Sequence, residues 1–285
     1  MTIVADCGST KTSWALVETG EKIVTEGLNP HFTSDEQFLA ACHLVRERLA
    51  CEDNSIFFYG SGCGSAKQRK RVTEILVKAF GTNDVYVDTD MLGACRATAG
   101  DNASIVGILG TGSNACFYDG KKIALQPFST GYILGDEGSA NFVGRYLLKE
   151  YLTDNMPEHE ATRFHKAFPL SKEEMMELLY HQPNPNRWLA SLATITKNAQ
   201  EDTYFYEVQE ESINAWKQEQ VMPLYEASGC TDLYIVGGFA ESAKRAITAC
   251  FRSGKILSTD IVLKKIVGDP IDGLIDYHSK DSKKS

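Results

Sequence analysis

A turn of small and hydroxyl-bearing residues follows the first apolar segment of the chain. It reads Asp6-Cys7-Gly8-Ser9-Thr10-Lys11-Thr12. Backbone N–H groups in such a turn can surround phosphate oxygens, and the hydroxyl groups of threonine add donors. Lys11 can add positive charge or point to solvent, and Asp6 can hold Mg²⁺ directly or through water. The alternative is a plain hairpin in which Asp6 only forms the turn.

A second turn of the same kind comes about a hundred residues later, which is the separation expected of two related lobes rather than of a short repeat. It reads Gly110-Thr111-Gly112-Ser113-Asn114 and follows the apolar segment Ile105–Leu109. Two donor-rich hairpins that face each other across a cleft could bind one polyphosphate from both sides. The pair is more specific than either turn alone, although strand–turn–strand units are common.

Two carboxylates, Asp90 and Asp136, lie next to the predicted starts of helices. Asp90 lies between a predicted strand, Val85–Val87, and a predicted helix. In many α/β sheets a carboxylate there faces the cleft, and Asp90 could accept a proton from a hydroxyl that attacks phosphorus. Asp136, in Gly135–Ala140, could accept hydrogen bonds from a polyol. The alternatives are a helix cap at Asp88 or Asp90 and a favourable helix-dipole contact at Asp136.

Two glycine turns end predicted strands. Gly237 and Gly238 follow the strand Leu233–Val236 and would let a flat base lie against the backbone, since no Cβ intervenes. A tight strand–helix joint is the alternative. The turn Gly60–Ser65 resembles a phosphate-binding turn, but a plain strand-to-helix turn is favoured. The six histidines show no metal-ligand spacing.

The elements that must position these residues form an α/β pattern. Two strand meanders begin at Ile3 and Ser104, and the region from Ala140 to Gln220 is largely helical. The length of 285 residues favours two domains. The net charge of −9 argues against a general nucleic-acid binder or a binder of anionic membranes. The eight cysteines stand singly, which favours a reduced, cytoplasmic protein with free thiols.

These motifs, in this order, resemble those of the actin-like ATPase superfamily, which includes sugar kinases and heat-shock ATPases. More closely, they resemble the BadF/BadG/BcrA/BcrD ATPase family and, within it, the N-acetylglucosamine kinases. The matching segments are Asp6–Thr12, Gly27–Pro30, Asp88–Asp90, Gly110–Ser113, Gly135–Ala140 and Ile235–Gly238.

The resemblance implies two ribonuclease-H-like lobes with a nucleotide in the cleft between them. The first would comprise residues 1–98 joined by the C-terminal segment 271–285. The second would comprise residues 99–270 and include a helical insertion. A homodimer is also compatible with the resemblance.

The resemblance further implies an ATP-dependent amino-sugar kinase that uses Mg²⁺. Gly8, Ser9, Thr10, Lys11 and Thr12, together with Thr111, Gly112 and Ser113, would bind ATP phosphates. Asp6 would place Mg²⁺, and Gly237 and Gly238 would lie near the adenosine. Asp90 would activate the sugar 6-hydroxyl. Asn29 and Asp136 would hold sugar hydroxyls, with Thr111 and Gly112 nearby.

The segment around Asn29 departs from the vertebrate sugar kinases. Asn29-Pro30-His31-Phe32 stands where they have a longer Ser-Thr-Asn-His-Trp segment. Glucosamine, N-acetylglucosamine and N-acetylmuramic acid therefore stay open as substrates. The rival functions are an ATPase that activates a partner enzyme, a non-catalytic nucleotide- or sugar-binding protein, and a kinase of another small metabolite.

Overall fold

The computed structural model describes residues 1–49, 55–182, 184–201, 203–252 and 260–281. Cys51 and residues 282–285 of the predicted C-terminal segment lie outside these ranges. The chain forms two compact units. The first comprises Met1–Asn102, Tyr118–Ile123 and Asp269–Ser285, and the second comprises Ala103–Phe117 and Ala124–Gly268. The predicted domain boundaries, after residue 98 and before residue 271, stay a prediction.

The first unit is built on a five-stranded sheet with the strand order β3-β2-β1-β4-β5. Its strands are β1 (Thr2–Cys7), β2 (Lys11–Leu16), β3 (Lys22–Glu26), β4 (Ser55–Gly60) and β5 (Val85–Thr89). β1 runs antiparallel to β2 and parallel to β4, and β4 runs parallel to β5. Gly60 pairs with Cys7 on one side and with Thr89 on the other. The carboxyl ends of β1, β4 and β5 therefore share one edge of the sheet.

The helices of the first unit cover the two faces of this sheet. They are α1 (Asp35–Leu49), α2 (Ala66–Phe80), α3 (Asp90–Thr98) and α13 (Ile271–Asp281). The ring of Trp14 lies 5.7 Å from that of Phe58 and 6.1 Å from that of Phe80, which binds α2 to the sheet. α13 packs on α3 so closely that a Cβ on Gly273 would lie 2.1 Å from the Ala97 carbonyl oxygen.

The second sheet has the strand order β10-β9-β6-β7-β8. Its strands are β6 (Ala103–Leu109), β7 (Ser113–Asp119), β8 (Ile123–Leu125), β9 (Asp232–Val236) and β10 (Val262–Val267). β9 lies between β6 and β10 and is parallel to both. The carboxyl ends of β6 and β9 consequently meet at one edge, where the Gly110 and Gly237 turns begin.

The second unit carries the helices between β8 and β10. They are α4 (Gly131–Leu134), α5 (Ala140–Leu152), α6 (Glu158–Ala167), α7 (Lys172–Tyr180), α8 (Pro185–Leu192), α9 (Tyr204–Trp216), α10 (Met222–Ser228), α11 (Gly238–Ser242) and α12 (Lys244–Arg252). A 3₁₀ turn spans Ala193–Thr196, and a π-helical turn spans Lys217–Val221. Within the described ranges, no helix combines the length and the apolar composition needed to cross a membrane.

The contact between α5 and α8 depends on Gly144. A Cβ on Gly144 would lie 1.8 Å from the Leu189 carbonyl oxygen, so the backbones touch where a side chain would stand. We expect Gly144→Ala to lower the free energy of unfolding by about 1–3 kcal/mol, the usual cost of overpacking. Urea unfolding of the unliganded protein measures this. Gly238→Ala is the control because a Cβ there meets nothing within 4 Å. Equal midpoints for the two variants would contradict the prediction.

Candidate functional site

The first candidate element is the turn between β1 and β2 in the first unit. Gly8 N donates to Lys11 O at 2.9 Å, which closes the turn. Gly27 lies directly behind it, since a Cβ on Gly27 would be 2.3 Å from Ser9 O. Ser9 is half-buried, and Thr10 and Lys11 are exposed. The turn is therefore compact, supported from behind and accessible from outside, as a phosphate-binding turn must be.

Two residues predicted to contact phosphate, Thr12 and Lys11, have partners within the protein. Thr12 is fully buried, and its hydroxyl donates to Glu26 O at 3.1 Å. The Thr12 side chain is thus an internal donor, because β2 has already begun and directs it into the core. Lys11 Nζ lies 2.5 Å from an Asp269 carboxylate oxygen. Ser13 Oγ donates to the same oxygen at 2.8 Å, so Asp269 fixes the start of β2.

Asp6, at the end of β1, lies in a region of negative charge. Burial raises its pKa to about 8, the charges of Asp269 and Asp90 add to this, and Lys11 opposes it. A cation beside Asp6 would relieve that charge, so the residues present fit Mg²⁺. In the described part of the chain no group of three or more His, Cys, Asp or Glu side chains could hold a metal ion. Mg²⁺ is commonly held by one or two carboxylates together with phosphate oxygens, and Asp6 could supply one such carboxylate.

Asp90 is the first residue of α3, but it is not the helix cap. Thr89 takes that role, because its Oγ1 accepts from Leu92 N at 3.2 Å. Asp88 accepts from Tyr86 Oη at 2.8 Å and from Thr89 N at 2.7 Å. Asp90 accepts from Met91 N at 2.9 Å. Burial raises the pKa of Asp90 to about 6, and hydrogen bonds from backbone N–H groups to the carboxylate lower it in part.

Asn29 lies in the segment between β3 and α1 and is 6% exposed. Its side-chain amide contacts Ser61, in the turn after β4, and the backbone of His31. This places Asn29 near the carboxyl-terminal edge of the sheet, where β1 and β5 also end. The first unit therefore brings the Gly8 turn, Asp6, Asp90 and Asn29 to one edge.

The second unit joins two motifs that are separate in sequence. Ser113 N donates to Asp136 Oδ1 at 3.3 Å. A Cβ on Gly112 would lie 2.7 Å from Asp136 Oδ2, so this glycine is needed to accommodate the carboxylate. Ala140 N and Asn141 N, at the start of α5, bind the carbonyl oxygens of Gly110 and Thr111 at 3.0 Å each. The turn and the Gly135–Ala140 segment thus form one structure.

The Asp136 backbone has a strained conformation, and its carboxylate does not cap a helix. Its φ is +62°, a left-handed conformation that few residues other than glycine adopt. Ser139, and not Asp136, caps α5 by accepting from Phe142 N at 3.1 Å. Burial raises the pKa of Asp136, while the Ser113 N–H and the Arg145 charge oppose this. Such strain is often found at functional sites.

The two glycines after β9 differ in role. Gly237 has a φ of +129°, and a Cβ on it would lie 2.3 Å from Leu109 O. Gly237 is therefore required where the turn after β9 passes close to the end of β6. Gly238 is exposed, and a Cβ on it would meet nothing within 4 Å. Gly238 leaves open backbone surface on which a flat ring could lie.

A cavity of about 120 Å³ lies beside Asp136 in the second unit. Its lining includes Phe128, which is 92% exposed, and Glu219 and Gln220 of the π-helical turn. Sequence reasoning missed these residues and Asp269, because none of them belongs to a motif. The sequence Gly268-Asp269-Pro270 is too common to indicate a site.

Solved structures resemble this chain along nearly its whole length. A protein of Porphyromonas gingivalis, provisionally named an N-acetylglucosamine kinase, is 29% identical with a TM-score of 0.88, over 99% of this chain and 100% of that one. A protein of Chromobacterium violaceum with the same provisional name is 16% identical with a TM-score of 0.65, over 97% and 98%. A ROK family glucokinase of Streptomyces griseus, in complex with glucose and AMPPNP, is 16% identical with a TM-score of 0.62, over 98% of each chain.

The chain has the actin-like ATPase fold. The predicted fold class is thereby confirmed: each unit contains a mixed five-stranded sheet flanked by helices. No protein-family model and no curated protein matches the chain. The resemblance to the BadF/BadG/BcrA/BcrD family accordingly stays a prediction.

Proposed function

We propose that this protein is an ATP-dependent kinase that phosphorylates the 6-hydroxyl of an amino sugar of the N-acetylglucosamine or glucosamine type. The observation that carries the proposal is Asp90, a half-buried residue whose carboxylate caps no helix and which lies at the sheet edge where the Gly8 turn begins. The likeness to proteins named as sugar kinases supports a sugar as phosphate acceptor.

Asp90 acts as the general base. It takes the proton of the sugar 6-hydroxyl as that oxygen attacks the terminal phosphorus of ATP, and ADP leaves with the electrons of the broken P–O bond. A carboxyl with a pKa of about 6 is mostly ionised at neutral pH and is still basic enough to accept the proton. Most of the rate enhancement comes from positioning and charge neutralisation, as in other phosphoryl transfers.

ATP is bound by the two small-residue turns. The phosphates take backbone donors of the turns Gly8–Lys11 and Thr111–Ser113. Gly8 N and Ser113 N are not among these donors, because they donate to Lys11 O and Asp136 Oδ1. Gly238 lies under the adenosine. Asp6 binds Mg²⁺, which neutralises phosphate charge when bound.

Asn29 and Asp136 hold the sugar. The Asn29 amide donates to a hydroxyl, and the Asp136 carboxylate accepts from hydroxyls, with Thr111 and Gly112 beside them. Carboxylate acceptors form stronger hydrogen bonds than neutral ones, so Asp136 contributes more of the binding energy.

The rival function as an activator of a partner enzyme requires cysteines that two subunits can share in a cluster. In the described ranges, Cys230 is the one cysteine with partial exposure, and the others are buried. Burial raises the pKa of Cys7, Cys42 and Cys63 well above the ordinary thiol range, which disfavours the thiolate that a cluster needs.

The pH dependence of catalysis follows from Asp90. Because the base must be ionised, we expect kcat/KM for the sugar to be constant above pH 7 and to fall about tenfold per pH unit below about 6. Mg²⁺ must be saturating at every pH, since burial raises the pKa of Asp6 to about 8 and protons then compete with the metal ion. The remaining activity of Asp90→Asn should lack the acidic limb. A wild-type profile that is flat down to about pH 5 would exclude Asp90 as the base.

A sugar-dependent ADP-release assay tests the proposed function. The acceptors are N-acetylglucosamine, glucosamine, N-acetylmuramic acid, glucose and no sugar, each with Mg-ATP. We expect ADP release that requires one amino sugar, together with the matching phosphosugar by mass. ADP release without any sugar dependence would instead favour the activator-type ATPase. Silence with every acceptor would contradict the kinase, and a nucleotide-induced thermal shift would then indicate a non-catalytic binding protein.

A further inference from the structure

The turn between β4 and α2, residues Gly60–Ser65, has two halves with different partners. The first half is Gly60–Gly62, and the second half is Cys63–Ser65. In the second half, Ser65 caps α2 by accepting from Gln68 N at 3.2 Å. Arg69 donates to two carbonyl oxygens of this half, at 2.9 Å each. These contacts are those of a plain strand-to-helix turn, as the sequence favours. They do not involve the first half.

The first half of the turn contacts the side chain of Asn29. Asn29 Nδ2 donates to Ser61 Oγ at 3.3 Å, and Asn29 Oδ1 accepts from His31 N at 3.0 Å. Because the His31 N–H can only donate, the atom of the Asn29 amide that it contacts must be the oxygen. An amide held at both ends has one orientation. Since Nδ2 carries two hydrogens, the bond to Ser61 uses one and fixes the direction of the other.

Gly62 supplies the space that Asn29 occupies. Its φ is +83°, and a Cβ on it would lie 2.5 Å from Asn29 Oδ1 and 3.0 Å from Asn29 Cγ. Any side chain at position 62 would therefore displace the Asn29 amide as well as strain the backbone. Gly64, two residues later, has no such neighbour: a Cβ there meets nothing within 4 Å.

The same half of the turn is tied to the end of β1. Ser61 N donates to Cys7 O at 2.8 Å, directly before the Gly8 turn. One segment thus holds Asn29 in a fixed position relative to the candidate phosphate turn. A helix start needs neither this bond nor the contact with Asn29.

We propose that Ser61 and Gly62 are positioning residues that aim the Asn29 amide at a hydroxyl of a bound pyranose. The inference rests on the proposed function, because Asn29 is there a sugar-binding residue. Ser61 sets the direction of the Nδ2 donor, and Gly62 lets the amide lie in that direction. Neither residue touches ATP or the reacting atoms.

Gly62→Ala and Gly64→Ala form a matched pair of tests. We expect Gly62→Ala to raise the Kd and KM for the sugar by about tenfold or more, since the Asn29 amide is displaced. Gly64→Ala should leave both constants within about twofold of the wild-type values, because its Cβ meets open space. The KM for ATP should change in neither variant. Binding is measured calorimetrically with N-acetylglucosamine and with glucosamine, without ATP.

Ser61→Ala and Ser61→Thr distinguish the effect of the Ser61 hydroxyl on sugar binding from its effect on stability. We expect Ser61→Ala to raise the sugar Kd about five- to tenfold, the usual effect of one lost hydrogen bond. Ser61→Thr keeps the hydroxyl and should restore most of the affinity. A purely structural role would instead lower thermal stability in Ser61→Ala without a change in sugar Kd.

Each outcome decides the proposal. If Gly62→Ala binds the sugar as tightly as Gly64→Ala does, or if Ser61→Ala binds as the wild type, the positioning role is wrong. A wild-type protein that binds a sugar but does not phosphorylate it would contradict the proposed kinase and leave the binding test intact. A wild-type protein that binds neither sugar would overturn both proposals.

Discussion

Asp90→Asn is expected to lower kcat for phosphate transfer by about 10²- to 10⁴-fold, the range that a positioned general base contributes. Asparagine has nearly the same shape and can still accept from Met91 N, as Asp90 does at 2.9 Å. It cannot take the proton of the sugar hydroxyl at neutral pH. The Kd for ATP should stay within about twofold of the wild-type value, since no ATP contact is lost.

Asp88→Asn is the matched control for this variant. Asp88 belongs to the same strand end, but its carboxylate accepts from Tyr86 Oη and Thr89 N. We expect a change in kcat of less than about fivefold, together with some loss of stability, because an internal partner is weakened. Equal kcat values for Asp90→Asn and the wild type would remove Asp90 from the base role. Equal losses in the two variants would indicate a general effect on the β5–α3 junction.

Asp136→Asn is expected to raise the KM for the sugar by about 10- to 100-fold, since hydrogen bonds to a charged acceptor are worth roughly 1.5–3 kcal/mol. The backbone should not change, because asparagine tolerates the left-handed conformation that Asp136 adopts, with φ of +62°. The amide oxygen can still accept from Ser113 N, which donates to Asp136 Oδ1. The loss therefore reports on charge, and steady-state kinetics with varied sugar measure it.

Glu137→Gln is the control for Asp136→Asn. Glu137 is adjacent, half-buried and also borders the cavity of the second unit. We expect its effect on the sugar KM to be below about threefold, because the hydrogen bonds described above for Asp136 do not involve the Glu137 carboxylate. If Asp136→Asn raises the KM for ATP and leaves that for the sugar unchanged, Asp136 belongs to the nucleotide site instead.

The local order of the chain could be predicted from its sequence. Apolar runs separated by turn residues predict the β1–β2–β3 meander, and the carboxyl ends of β1 and β5 carry the predicted Asp6 and Asp90. Turns occur at Gly8 and at Gly110 as expected, but the first is shorter than the predicted Asp6–Thr12, because β1 extends to Cys7 and β2 begins at Lys11. The reason is that strand ends, glycine turns and helix starts are encoded by near neighbours.

Side-chain partners across the fold could not be predicted. Sequence could not decide whether Asp90 caps α3, because the choice of Thr89 depends on backbone angles at the cap. The contact of Lys11 with Asp269 joins residues 258 positions apart. The contact of Asn29 with Ser61 depends on how the segment after β3 lies over the end of β4.

Thr12 shows how a motif can mislead. Its hydroxyl is one of several in a donor-rich turn, but Thr12 pairs with Cys7 in the β1–β2 ladder and is fully buried. Side chains alternate between the two faces of a strand, so the beginning of β2 decides which hydroxyl is internal. The motif does not define that beginning.

The central claim is that phosphate is transferred to the sugar 6-hydroxyl, and a comparison of an amino sugar with its 6-deoxy analogue tests it most directly. The protein is incubated with Mg-ATP and either an amino sugar from the panel or its 6-deoxy analogue, and the sugar product and ADP are measured by mass and by coupled assay. We expect one phosphate on the amino sugar, one ADP per phosphosugar, and neither product above background with the 6-deoxy analogue. Phosphorylation of the 6-deoxy analogue at a rate near that of the parent sugar would contradict the proposed reaction.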